Sequence, residues 1–179
     1  MKMNKLSMLI ASVGIIAAQS TFAADGTITI NGKITDTSCT IAVNGSANGT
    51  VTLPTVSTAT LATTGSTAGT TPFGIDLTNC TGTTLKNAYA YFEAGTMVDT
   101  ATGRLNTSGG TNTQIQLLDK NNAVIAVGSA AQVTSPVAED ISAGYATLNY
   151  YARYYAPGAN NSVTAGSVST QVNYTVIYD

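Results

Sequence analysis

Histidine is absent from the 179 residues. Its absence removes Ser–His and Cys–His nucleophilic sites and the commonest metal ligand. Charge is scarce as well, at 9% of the chain, and no basic cluster offers the electrostatic footprint that nucleic-acid binding needs. The carboxylates are scattered. Glu139 and Asp140 form the one adjacent pair, close to Pro136 on what reads as a solvated loop. Neighbours in a strand point to opposite faces, so these two cannot flank one bond as a glycosidase pair does. Gly103, Gly109 and Gly110 lack both the GxxxxGK[ST] spacing and a following helix, which excludes a phosphate loop. Two cysteines with no CxxC and no histidine make a poor zinc site. No catalytic residue, metal or cofactor is expected.

Long apolar runs are missing too. The run from Leu6 to Ala18 is well short of the ~20 residues that span a bilayer. Lys2 and Lys5 precede it, and Thr21-Phe22-Ala23 follows as a small-x-small cleavage site. Residues 1–23 therefore read as a secretory signal, with no membrane insertion expected after its removal. Cleavage takes away two basic residues, leaving five against nine acidic ones and a net charge of −4. In an exported chain an even cysteine count suggests a disulfide, and Cys39 with Cys80 is the single pairing available. Closing that loop would stabilise the fold by roughly 4 kcal/mol on the chain-entropy view. Two buried free thiols are the alternative.

No sustained helical stripe occurs, whereas alternation with period two is frequent. Threonine and valine favour strands because a branched Cβ restricts χ1 and packs well on a pleated surface. Strands are predicted at 38–43, 50–53, 72–80, 88–92, 115–118, 123–127, 145–155 and 168–179. Turns fall at 44–49, 119–122 and 157–161. Residues 55–71 and 94–113, poor in large apolar groups, read as loops, the first alternatively as a ragged edge strand. Phe73, Ile75 and Leu77 share one strand face. Asp119 reads as turn chemistry and not as a calcium ligand, since the other spaced carboxylates are missing. Arg153, among tyrosines, is expected to make a cation–π contact. Short strands at this spacing suggest an immunoglobulin-like sandwich.

The two ends of the chain stand apart. In GTITINGKIT (26–35), Ile28, Ile30 and Ile34 lie on one strand face, with Gly32 leaving a notch among them. At the other end Val168, Thr170, Val172, Tyr174, Val176 and Tyr178 fall on one face, with Gly166 opening the series. That strand runs to the last residue, so none follows to pair beside it.

With these features assembled, the chain resembles a chaperone–usher fimbrial subunit of the type 1 and P pilus kind. The marks are ThrIleAsnGlyLysIleThrAspThrSerCys (29–39), PheGlyIleAspLeuThrAsnCys (73–80), IleGlnLeuLeuAsp (115–119), TyrTyrAlaArgTyr (150–154) and ValThrAlaGly (163–166). Gly166, fourteenth from the end, and Tyr178, the penultimate aromatic, fit the family's C-terminal signature. The resemblance implies an all-β, incomplete immunoglobulin-like domain (37–179) that lacks its last strand, preceded by a donor-strand extension (24–36). Gly166, Val168, Val172, Tyr174, Val176 and Tyr178 would border the open groove. Ile28, Ile30, Gly32 and Ile34 would fill the groove of another subunit, with Gly32 where that groove is shallow.

The implied partners are identical or related subunits in a head-to-tail polymer, a periplasmic chaperone and an outer-membrane usher. The implied site of action is a fimbria on the surface of a Gram-negative bacterium, supporting adhesion. Two alternatives stand beside a shaft subunit. One is a minor adaptor of the same system. The other is a glycan-binding tip adhesin that stacks sugars on Tyr145, Tyr150, Tyr151, Tyr154 and Tyr155, although a chain this short has no room for the additional receptor domain usual in such adhesins.

Overall fold

A computed structural model describes residues 28–46, 48–82, 84–160 and 162–179. The expected secretory signal and its cleavage point lie outside the described residues, as do positions 24–27 of the extension. The chain divides into two units, Met1–Lys33 and Ile34–Asp179. Residues 28–33, the described part of the first unit, belong to no ladder.

Among its described residues the second unit holds ten strands in two sheets. The strands are β1 (Ser38–Val43), β2 (Thr67–Thr81), β3 (Asn87–Phe92), β4 (Val98–Asp99), β5 (Arg104–Asn106), β6 (Gln114–Leu118), β7 (Val124–Ile125), β8 (Glu139–Asp140), β9 (Ala146–Tyr155) and β10 (Tyr174–Tyr178). A 3-10 turn spans Thr58–Leu61, and the single α-helical turn α1 spans Ala131–Thr134. The larger sheet runs β1-β2-β9-β6-β5-β4, with β7 paired to β6; the smaller runs β10-β3-β8. Every pairing is antiparallel.

Alternation decides which residues enter the core. Ile75 and Leu77 of β2, Leu148, Tyr150 and Ala152 of β9, and Ile115 and Leu117 of β6 come from one sheet. Ala88, Ala90 and Phe92 of β3 come from the other. Phe92 and Tyr150 meet edge to face with centroids 5.0 Å apart, and Phe73 lies 5.7 Å from Tyr150. Phe73 and Tyr150 are cross-strand neighbours in the larger sheet, and the contacts of both rings with Phe92 join the sheets. Outside the strands, Asp119 Oδ1 accepts from the N–H groups of Asn121 and Ala123, which closes the β6–β7 turn as its sequence predicted.

Several expectations change. Residues 67–71, within the stretch read as a loop or a ragged edge strand, take the strand alternative and extend β2 to fifteen residues, because Thr67, Ala68 and Thr71 find Tyr155, Tyr154 and Ala152 across the ladder. The 94–113 loop zone contains the β4–β5 hairpin. Residues 50–53 carry no ladder hydrogen bonds, although Val51 and Leu53 pack half-buried on the core. Glu139 and Asp140, expected on a loop, pair with Ala88 and Asn87 as β8, and Glu139 bonds Lys120 at 2.7 Å. The cation–π contact belongs to Arg104, whose guanidinium stands 4.1 Å over the Tyr155 ring. Arg153 instead donates from Nε and Nη2 to Gln116 Oε1 at 2.9 and 2.6 Å.

Candidate functional site: the free edge of the last strand

β3 lies between β10 and β8, and its two edges are finished differently. Its odd residues face β10. The Asn87 N–H donates to Asp179 O, the Asp179 N–H donates back to Asn87 O, and Tyr89 and Tyr91 stand opposite Ile177 and Thr175. Its even residues face the other way, and side chains satisfy them where β8 ends. The Ala90 N–H donates to Tyr150 Oη at 3.1 Å. The Phe92 N–H donates to Gln132 Oε1 at 3.0 Å, and Gln132 Nε2 donates back to Phe92 O. That edge is closed.

The far edge of β10 is open. Because its odd residues bond to β3, the N–H and C=O groups of Tyr174, Val176 and Tyr178 point away from β3, and no strand pairs with them among the described residues. The same even residues carry the apolar side chains. Val168, Val172, Tyr174, Val176 and Tyr178 all pack against the core cluster, yet none is fully buried, while Ser169, Gln171, Asn173 and Thr175 are exposed. Partial burial raises the Tyr174 phenol above its ordinary pKa. A half-covered apolar row beside a row of unspent backbone groups is a template for one more strand.

The strand is shorter than the sequence suggested. Only Tyr174–Tyr178 joins the sheet; residues 168–173 lie outside it apart from one bridge, Ser169 to Ser108. The strand is cut short by a tertiary contact. The preceding stretch docks on the 106–111 loop instead, where the Thr164 N–H donates to Thr111 O and Thr170 Oγ1 donates to Asn106 O. Gly109 makes that approach possible: it sits at φ +102°, and a Cβ there would land on the Ser167 carbonyl oxygen. Gly166 belongs to this docked stretch, exposed, with its would-be Cβ 3.0 Å from Thr111 Cγ2. At the other end, Tyr178 Oη accepts the Cys39 N–H at 3.0 Å and ties β10 to β1.

Cys39 and Cys80 are disulfide-bonded, linking the start of β1 to the end of β2, which runs antiparallel to it. In the extension, Ile28, Ile30 and Ile34 are 89%, 90% and 99% exposed, and nothing lies within 4 Å of a Cβ built on Gly32. Among the tyrosines weighed for sugar stacking, Tyr150 is buried and Tyr145 exposed, and they share no common surface.

Residues 53–179 match the family described as type-1 fimbrial protein, A (FimA). The chain belongs to that family. It is 48% identical to the major fimbrial subunit SMF-1 of Stenotrophomonas maltophilia, over 88% of this chain and 94% of the relative. It is 40% identical to the F17 fimbrial protein of Escherichia coli, over 98% and 99%. The fold is similar to the P pilus rod subunit PapA, with TM-score 0.62 and 22% identity over 79% of this chain and 99% of that one. A chaperone–usher pilus subunit from a structure addressing rod uncoiling gives TM-score 0.62 and 26% identity, over 90% and 100%. The fimbrial subunit therefore has the immunoglobulin-like pilin fold, and its smaller sheet stops at β10. Subunits of this family form fimbriae on the surface of Gram-negative bacteria. No helix among the described residues is long and apolar enough to cross a membrane.

Proposed function

We propose that the protein is the repeating subunit of a fimbrial shaft and polymerises by lending residues 24–36 to the open edge of β10 in a neighbouring subunit. The observation that carries this reading is a match of spacing. Ile28, Ile30, Gly32 and Ile34 present four alternate positions, as do Val172, Tyr174, Val176 and Tyr178. Each isoleucine moved from water to a groove contributes about 2 kcal/mol. Main-chain hydrogen bonds to the even residues of β10 supply the rest; the handing of a strand from one pilin to another is an established instance of this mode of recognition. Donor and acceptor surfaces differ, so the contact is head to tail and does not close, the geometry that grows filaments.

A free apolar edge is an aggregation hazard before assembly. A periplasmic chaperone would cover β10 first, and an outer-membrane usher would exchange it for the next subunit's extension. The kinship with a major subunit supports the shaft over a minor adaptor, and copy number in sheared filaments separates the two.

The test uses residues 37–179 released from the chaperone, with a synthetic peptide of residues 24–36. At a hundredfold excess over Kd the peptide should raise the melting temperature by about 5–10 °C. An unchanged melting temperature would sink the donor assignment.

A further inference from the structure

Three Asn-Gly bonds occur in the chain, at 31–32, 44–45 and 48–49. A glycine after asparagine leaves its backbone nitrogen unobstructed by any Cβ and lets the chain rotate freely, which favours attack of that nitrogen on the preceding carboxamide. The structure treats the three bonds differently. Asn44 sits in the turn after β1 at φ 49°, with Nδ2 donating to Thr50 O at 3.1 Å, so its carboxamide is held. Gly49 is packed against Val43, with no room even for a Cβ. Asn31 is exposed and outside any ladder, and Gly32 has open space around it.

We propose that Asn31-Gly32 is a self-acting modification site which retires subunits that remain unassembled. The Gly32 nitrogen bonds to Asn31 Cγ, and the Cγ–Nδ2 bond breaks. The glycine amide proton leaves with that nitrogen as ammonia, and a cyclic imide remains. Water then opens the imide. Addition at the side-chain carbonyl gives aspartate; addition at the main-chain carbonyl gives isoaspartate. Water is consumed and ammonia released, with no oxidant or reductant.

The consequence rests on the donor-strand reading. Aspartate only adds a charge on the odd, polar face of the strand. Isoaspartate routes the main chain through the former side-chain carbon, so the backbone gains one atom between Ile30 and Ile34. The isoleucines then no longer share a face in register, and in a period-two structure a slip of this kind moves apolar groups out of the groove. Such a subunit can still accept a strand but cannot donate one. Inside a filament the same bond is protected: ladder hydrogen bonds hold Asn31 extended, and imide closure needs its backbone to rotate out of that conformation.

The experiment incubates the chaperone-held mature subunit and assembled fimbriae side by side at mildly alkaline pH. Peptide mapping by mass spectrometry follows all three Asn-Gly bonds. Conversion at Asn31 should outpace Asn44 and Asn48 in the free subunit and be about tenfold slower in fimbriae, the protection expected from a formed ladder. Aged subunit should lose assembly in proportion to its isoaspartate content, and Asn31→Gln, whose longer side chain cyclises poorly, should keep it. Conversion at Asn31 no faster than at Asn44, or isoaspartate without loss of assembly, would overturn the proposal. Equal rates in subunit and fibre would overturn it alone if the 24–36 peptide still raises the melting temperature. If that peptide also fails, the donor assignment falls with it.

Discussion

Tyr150 shows how one side chain serves two tasks. Its ring joins Phe73 and Phe92 between the sheets, and its hydroxyl accepts the Ala90 N–H where β8 has ended. Removing only the oxygen leaves a buried donor unpaired, which typically costs 1–3 kcal/mol. Tyr150→Phe should therefore lower the unfolding free energy of the peptide-complemented domain by about 1–3 kcal/mol, read as a lower denaturant midpoint with an unchanged m-value. The same burial fixes the response to alkali. Desolvation raises the Tyr150 phenol, and burial together with the nearby Asp179 charge raises Tyr89. The folded state keeps these protons after the unfolded chain has begun to lose them. Their stabilisation is thus complete below about pH 10 and drains away as pH rises through the higher folded values. Urea titrations in alkali should show that decline, and it should be shallower for Tyr150→Phe. Arg153 marks the limit of reading at this scale. Its tyrosine neighbours in sequence suggested a ring contact, but the register of β6 against β9 puts Gln116 opposite it and Gln114 opposite Tyr155, leaving that ring to Arg104 from β5.

Among the elements, β10 was legible because it repeats apolar residues at period two, and period two survives even where a strand is only half covered. Gly32 carries the sharpest prediction. No described residue lies within 4 Å of a Cβ built on it, so Gly32→Ile should fold with chaperone as the wild type does. The added side chain should nevertheless overfill the groove where the resemblance implies that it is shallow, at a typical overpacking cost of 1–3 kcal/mol per junction, and shorten filaments seen by electron microscopy. Normal filament lengths would reduce Gly32 to a tolerated residue. What the sequence hid were elements with weak local signals. The ThrAlaGlyThrThr start of β2 is low in complexity and becomes strand through the tyrosines of β9 opposite it. The β4–β5 hairpin is two and three residues long and sits among glycine and threonine, so no periodicity could develop. The break of the last strand at Tyr174 depends on contacts with residues 106–111, about sixty positions away, which no local pattern reports.

For the whole molecule, the disulfide is the one covalent tie across the sheet, joining residues 41 positions apart. Replacing both cysteines by serine should cost about 2–5 kcal/mol, read as a lower melting temperature of the complemented subunit. A fall much smaller than this would mean that the hydrogen bonds of β1 alone hold it to β2. The position of the tie matters as much as its strength. It sits at the second residue of β1, immediately after the segment proposed to enter the next subunit, and beside the Cys39 N–H bonded to Tyr178. When a shaft built this way is pulled lengthwise, the load enters each domain at Asp36–Ser38 and would begin to peel β1 off β2 rung by rung. The Cys39–Cys80 bond stops that peeling almost at its first rung and passes the load into the fifteen-residue β2, which is paired with β9 from Thr67 to Leu77. The subunit is thus reinforced at the point where a tether would otherwise unzip it.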